Sequence, residues 1–107
     1  MWQKAMDLVI SVYSVTRGFP KTETFGLASQ MQRAAVSVPS NIAEGHGLKQ
    51  THAHSRHLAI ASGSLAELQT QIEISRRLGY TGDWEKLIEA AREVGRMLAG
   101  LRRSLQD

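Results

Sequence analysis

Apolar residues recur every three or four positions along nearly the whole chain, the pattern of amphipathic helices sharing one core. Trp2, Ala5, Leu8, Val9, Val12 and Tyr13 fall on one side of a first helix, predicted from about Trp2 to Arg17. Gly18, Phe19 and Pro20 end it, because glycine favours a helix stop and proline cannot continue the ladder. Leu27, Met31, Ala34, Ala35, Val38 and Ile42 form the apolar face of a second helix, with Thr22 or Thr24 as its expected cap and Glu44 near its expected end. Gly45-His46-Gly47 reads as the break that follows. A third helix is predicted from about Thr51 to Leu78 on a seam of Leu58, Ala61, Leu65, Leu68 and Ile72. Gly63 costs that helix about 1 kcal/mol relative to alanine, which points to close packing at its middle. Leu78-Gly79-Tyr80-Thr81-Gly82 closes it, and Asp83 is a good cap for a fourth helix.

That fourth helix has the strictest repeat: Trp84, Leu87, Ala91, Val94, Leu98, Leu101 and Leu105 alternate by three and four. Its Glu85, Glu89 and Glu93 lie early and its Arg96, Arg102 and Arg103 late, which suits the helix dipole at both ends. No strand is needed anywhere. The expected fold is all-α, a single domain over residues 1–107 built as an antiparallel up-down-up-down four-helix bundle.

The second helix contains an internal defect. Pro39 removes a backbone donor and crowds the carbonyl of Ala35, which costs about 3 kcal/mol in an ordinary helix. Around it, Gly26, Arg33, Ser37, Ser40 and Glu44 share a narrow stripe away from the apolar face. At 100° per residue Ser37 lies about 40° and Glu44 about 20° from Arg33, with Asn41 on the border between stripe and core. Small residues there would admit another helix, and Arg33 and Glu44 could pair across subunits or bind a ligand. Alternatively the serines satisfy the carbonyl that Pro39 orphans, and the two charges are solvated. Arg33, Ser37, Pro39, Ser40, Asn41 and Glu44 are thus the candidate interface or fold-defining polar residues.

Composition narrows the chemistry. With no cysteine there is no disulfide, thiolate metal site or cysteine nucleophile. No apolar run reaches the ~20 residues of a membrane span, and Met1-Trp2-Gln3-Lys4 does not open a signal peptide, so the expected location is cytoplasmic. A net charge of +3 permits a polyanionic partner without demanding one. His46, His52, His54 and His57 cluster in sequence, but His52 and His54 point about 160° apart on a helix. A zinc site wants three protein ligands, and no carboxylate lies between Gly45 and Ala66, so neither metal nor cofactor is expected. No phosphate loop or Gly-x-Ser-x-Gly elbow occurs either, and the chain is not expected to be an enzyme. Arg92, Arg96 and Arg103 share a stripe about 150° from the leucine seam, flanked by Arg102, and are the candidate nucleic-acid contacts. Against that, Glu89 with Arg92, Glu93 with Arg96 and Glu73 with Arg77 have spacings that allow mutual neutralisation.

The block Arg33-Ala-Ala-Val-Ser-Val-Pro-Ser-Asn-Ile-Ala-Glu-Gly45, together with Phe19-Pro20, Phe25-Gly26-Leu27 and the stretch from Ile60 to Gln71, resembles the bacterial four-helix-bundle family encoded within 23S rRNA intervening sequences. His54 and His57 stand where that family often carries aromatics. The fold is also similar to the accessory protein of diversity-generating retroelements, a basic five-fold barrel that works with a reverse transcriptase and nucleic acid. The resemblance implies a bundle that assembles with copies of itself as a homopentamer and acts as an accessory or scaffold, with RNA or DNA and a protein partner as its ligands. A protein-interaction module without nucleic-acid affinity is the other reading it leaves open.

Overall fold

A computed structural model of the chain describes residues 1–48 and 50–106. Four helices account for most of them: α1 (Trp2–Thr16), α2 (Leu27–Gly47), α3 (Thr51–Arg77) and α4 (Trp84–Gln106), with a 3-10 turn at Lys21–Glu23. Successive helices pack side by side, and α1 returns to touch α4. Contacts across the α2–α3, α1–α4 and α3–α4 seams run in opposite directions along the two helices, the last with Leu65 beside Gly95 and Ile72 sharing a groove with Ile88. Met31 of α2 meets Ser75 of α3, and Asn41 meets His57. Lys4 of α1 meets Glu93 of α4, whereas Val15 lies beside Gly82 at the start of α4. The bundle is therefore antiparallel throughout, 44 Å long and 24 × 19 Å across.

Its core is the predicted set of apolar faces. Ala5, Leu8, Val9 and Val12 of α1, Met31, Ala34, Ala35, Val38 and Ile42 of α2, and all five seam residues of α3 are buried. So are Trp84, Leu87, Ala91, Val94 and Leu98, while Leu101 and Leu105 pack on the core's edge. Each fully buried leucine stabilises the fold by about 1.5–3 kcal/mol relative to an exposed one, so these faces dominate the favourable energy. Thr16, Gln71 and Ser75 are buried polar residues, of which Thr16 and Ser75 return their hydroxyls to Val12 and Gln71 carbonyls of their own helices.

Several local expectations change. Trp2 and Tyr13 stay exposed, because α2 and α4 cover only the opposite part of α1. Neither Thr22 nor Thr24 caps α2; the Glu23 carboxylate accepts from the Leu27 N–H at 3.2 Å instead. That same carboxylate accepts from the Tyr80 hydroxyl at 2.8 Å, so one side chain ties the start of α2 to the loop before α4. Gly45 and Gly47 do not break α2, which runs on to Gly47 and stops at extended Leu48. Gly63 faces open space rather than a neighbour, since a Cβ there would meet nothing within 4 Å. Asp83 does act at the start of α4, its carboxylate accepting from the Lys86 N–H at 3.2 Å.

The two ends of the bundle differ in chemistry. Phe19, Tyr80 and Trp84 stack at one end, with ring centroids 4.9 and 6.0 Å apart, and the Trp84 indole donates to the Tyr80 carbonyl at 2.7 Å. Gly79 makes the turn into that lock with φ of 78°, a left-handed conformation that glycine adopts without a Cβ penalty. The other end gathers the start of α1, the end of α2, the start of α3 and the end of α4. No helix among the described residues is long and apolar enough to cross a membrane.

Candidate functional site

The stripe around Pro39 divides once folded. Ser37 and Asn41 turn toward α3, where the Ser37 hydroxyl lies 2.7 Å from that of Ser64. The Asn41 amide donates to the Ser37 carbonyl at 2.9 Å and to its hydroxyl at 3.1 Å. Its oxygen stands 2.9 Å from His57 Nδ1, and the Glu44 carboxylate reaches the same nitrogen at 3.3 Å. Both oxygens can only accept, so Nδ1 carries the proton. The result is a continuous polar seam between α2 and α3 within one chain. Pro39 is buried, whereas Arg33 and Ser40 are exposed and, among the described residues, form no side-chain hydrogen bond or ion pair. Ser37 does not bond to the Ala35 carbonyl, its hydroxyl being engaged across the seam, and among the described residues Ser40 does not do so either.

Gly45, which reads in the sequence as a helix break, continues this seam as a packing residue. A Cβ at that position would lie 2.8 Å from the His54 ring, 3.2 Å from His57 Cβ and 3.3 Å from the His54 carbonyl. The absence of a side chain lets α2 and α3 close on each other there. His46 and His54 meet edge-on at 6.4 Å, but among the described residues no three histidines or carboxylates converge in a metal-binding arrangement.

The arginines of α4 are placed unequally. Arg96 pairs with Glu89 at 3.0 Å rather than with Glu93, which turns instead to Lys4 of α1 at 3.7 Å. Arg92 and Arg103 are exposed and Arg102 half-buried; among the described residues none of the three has an acidic partner. Arg92 and Arg103 are separated by about 16 Å along the helix. Glu73 serves both Arg76, at 2.9 Å, and Arg77, at 3.0 Å. Hydrogen bonds from Arg76 and Arg77 hold the Glu73 carboxyl down to about 2, from an ordinary 4.5. A carboxyl depressed in the folded state contributes stability above its ordinary value and loses it as pH falls through its folded value. Glu73→Gln is therefore expected to flatten the decline in melting temperature between pH 4.5 and pH 2, measured by circular dichroism; an unchanged decline would show that the two arginines do not depress this carboxyl.

An apolar surface also lies outside the core. Trp2, Met6, Ile10 and Tyr13 follow helical spacing along the outer side of α1, and Ile10 is 67% exposed. A shallow groove lined by Tyr13, Ser29, Gln32 and Val36 carries this face onto α2. On its other flank, Ile10, Val15, Leu87 and Ala90 floor a groove of about 580 Å³ between α1 and α4. Phe25, in the turn before α2, is 97% exposed. The spacing of Trp2, Met6 and Ile10 was the available sequence signal: α1 is apolar over a wider arc than one core contact needs.

This fold and these surfaces can be set beside known proteins. The profile of the family described as 23S rRNA-intervening sequence protein matches residues 1–100. The chain belongs to this family. Among solved structures, a protein of unknown function from the S23 ribosomal protein family of Bacteroides thetaiotaomicron is similar, with a TM-score of 0.87 at 17% identity. The likeness covers 94% of this chain and 96% of that one, and at such identity it shows the shared fold of the intervening-sequence protein. No curated protein matches the sequence.

Proposed function

We propose that this intervening-sequence protein is a non-catalytic accessory or scaffold that assembles with copies of itself, as a homopentamer, and holds nucleic acid on the arginine face of α4. The observation that carries the reading is the exposed face of α1, with Trp2, Met6, Ile10 and Tyr13 open to solvent beside Val36 of α2. Contiguous exposed apolar residues mark association surfaces rather than free ones. A five-membered ring joins two different patches of each copy and repeats every other surface around the axis. Arg92, Arg102 and Arg103 would then recur in each subunit, multiplying a modest charge into a track for phosphates.

Binding is tested with Arg92→Glu/Arg96→Glu/Arg103→Glu and a fluorescent single-stranded RNA. The wild type is expected to bind with an affinity that falls steeply with salt, and the triple variant to lose at least about tenfold. Equal binding by the two proteins would remove this face from the account. The pairing of Arg96 with Glu89, and of Arg76 and Arg77 with Glu73, favours a second reading: a protein-interaction module without affinity for nucleic acid. Absence of RNA and DNA binding by the intact wild type at physiological salt would select it.

A further inference from the structure

The polarity of the bundle ends has a consequence for how charge is distributed. No acidic residue occurs between Gly45 and Ala66, nor from Val94 to Gln106, Asp107 being the next acid in the sequence, and the fold brings these two stretches to the same end. The contact of Leu65 with Gly95 sets their register. One heptad further on each antiparallel helix, Arg102 comes level with Leu58, and Arg103 with His57. That end holds Arg56, Arg102 and Arg103, and all four histidines of the chain, His46, His52, His54 and His57. The opposite end mixes Arg17, Lys21, Arg76, Arg77 and Lys86 with Glu23, Glu73, Asp83, Glu85 and Glu89.

We infer that the histidine end extends the α4 arginine face as a pH-tuned contact for the phosphate backbone of nucleic acid, an inference that rests on the nucleic-acid reading above. The charged groups at this end come from the packed helices: Glu44 from α2, Arg56 from α3, and Arg102 and Arg103 from α4, whereas Lys4 of α1 lies further along the bundle, paired with Glu93. Glu44 is the acid that meets a histidine directly, at His57 Nδ1, and that histidine is held inside the polar seam. His46 and His52 are exposed and His54 half-buried, with its ring against that of His46. Histidine is the side chain that gains charge between pH 8 and pH 5. Acidification therefore adds positive charge to a surface already basic and leaves the mixed end unaltered. A track through Arg96 to Arg102 and Arg103 leads along α4 toward this end, so one strand can engage both.

The test measures binding of fluorescein-labelled single-stranded RNA by the wild type at pH 8.0 and pH 5.5 across a salt series. Affinity is expected to rise about tenfold or more on acidification, and the slope of log affinity against log salt to steepen by about 1–2, at about 0.7 per added phosphate contact. His46→Gln/His52→Gln changes only exposed side chains and is expected to remove most of the gain; adding His54→Gln removes the remainder. A gain preserved in both variants, or an unchanged salt slope, would overturn the inference. Failure of the α4 reading is distinguishable, because it appears as RNA binding at pH 8.0 that ignores the arginine variant. A histidine-dependent gain at pH 5.5 would stand beside that result.

Discussion

Gly45→Val is expected to destabilise the protein by about 3 kcal/mol, while Gly63→Ala stabilises it by about 1 kcal/mol. Both glycines sit inside helices, where propensity alone says that any side chain helps. Surroundings reverse the sign at Gly45. Its missing Cβ position lies 2.8 Å from the His54 ring and 3.3 Å from the His54 backbone carbonyl, so the ring can swing away but the helix cannot. Valine adds two further methyls to that contact and forces α2 and α3 apart at the point where Asn41, His57 and Glu44 meet. For a chain of this size the change corresponds to a fall in melting temperature of roughly 12–20 °C. At Gly63 a Cβ enters open space, and alanine lowers the entropy lost on folding. Paired melting curves of the two variants check both signs at once; two shifts in the same direction would contradict the packing described for the α2–α3 seam.

The same pair of residues shows where sequence reasoning reaches and where it stops. Period and spacing located all four helices and nearly every core residue, because burial of a continuous apolar face is a property of one helix and shows in its own residues. Gly45 and Gly63 look alike in the chain, and their difference lies wholly in what the neighbouring helix brings opposite them. The Glu23 cap was hidden for a related reason. Thr22 and Thr24 are better caps by type, but Glu23 is also held by Tyr80, a residue remote in sequence. Ser37 and Asn41 were legible as special positions beside Pro39, while their partners Ser64 and His57 required the register of α3. The arginine stripe of α4 was legible from helical geometry. Its partial neutralisation was legible only in part, since Glu93 left Arg96 for Lys4 on another helix.

Met6→Asp/Ile10→Asp is expected to release individual subunits with little loss of fold. Both side chains are on the outer face of α1, with 37% and 67% exposure, and neither belongs to the buried core, so the four-helix packing survives their replacement. Across an interface the parts of the two side chains still exposed would together bury apolar area worth about 1.5–3 kcal/mol, and the two carboxylates would have to be desolvated as well. Together these terms weaken association by at least about a hundredfold. Size-exclusion chromatography of the variant should show the monomer at concentrations where the wild type is assembled, with an unaltered helical circular dichroism spectrum. A variant that keeps the wild-type mass would place the contact between copies elsewhere.

The central claim, that the uncovered side of α1 exists to meet other copies of the chain, is tested most directly by the molar mass of the wild-type protein in solution. Sedimentation equilibrium at micromolar concentration is expected to give a closed assembly of about five times the 11.8 kDa subunit mass. A single species at 11.8 kDa over the same range would contradict it, and the scaffold reading would fall with it.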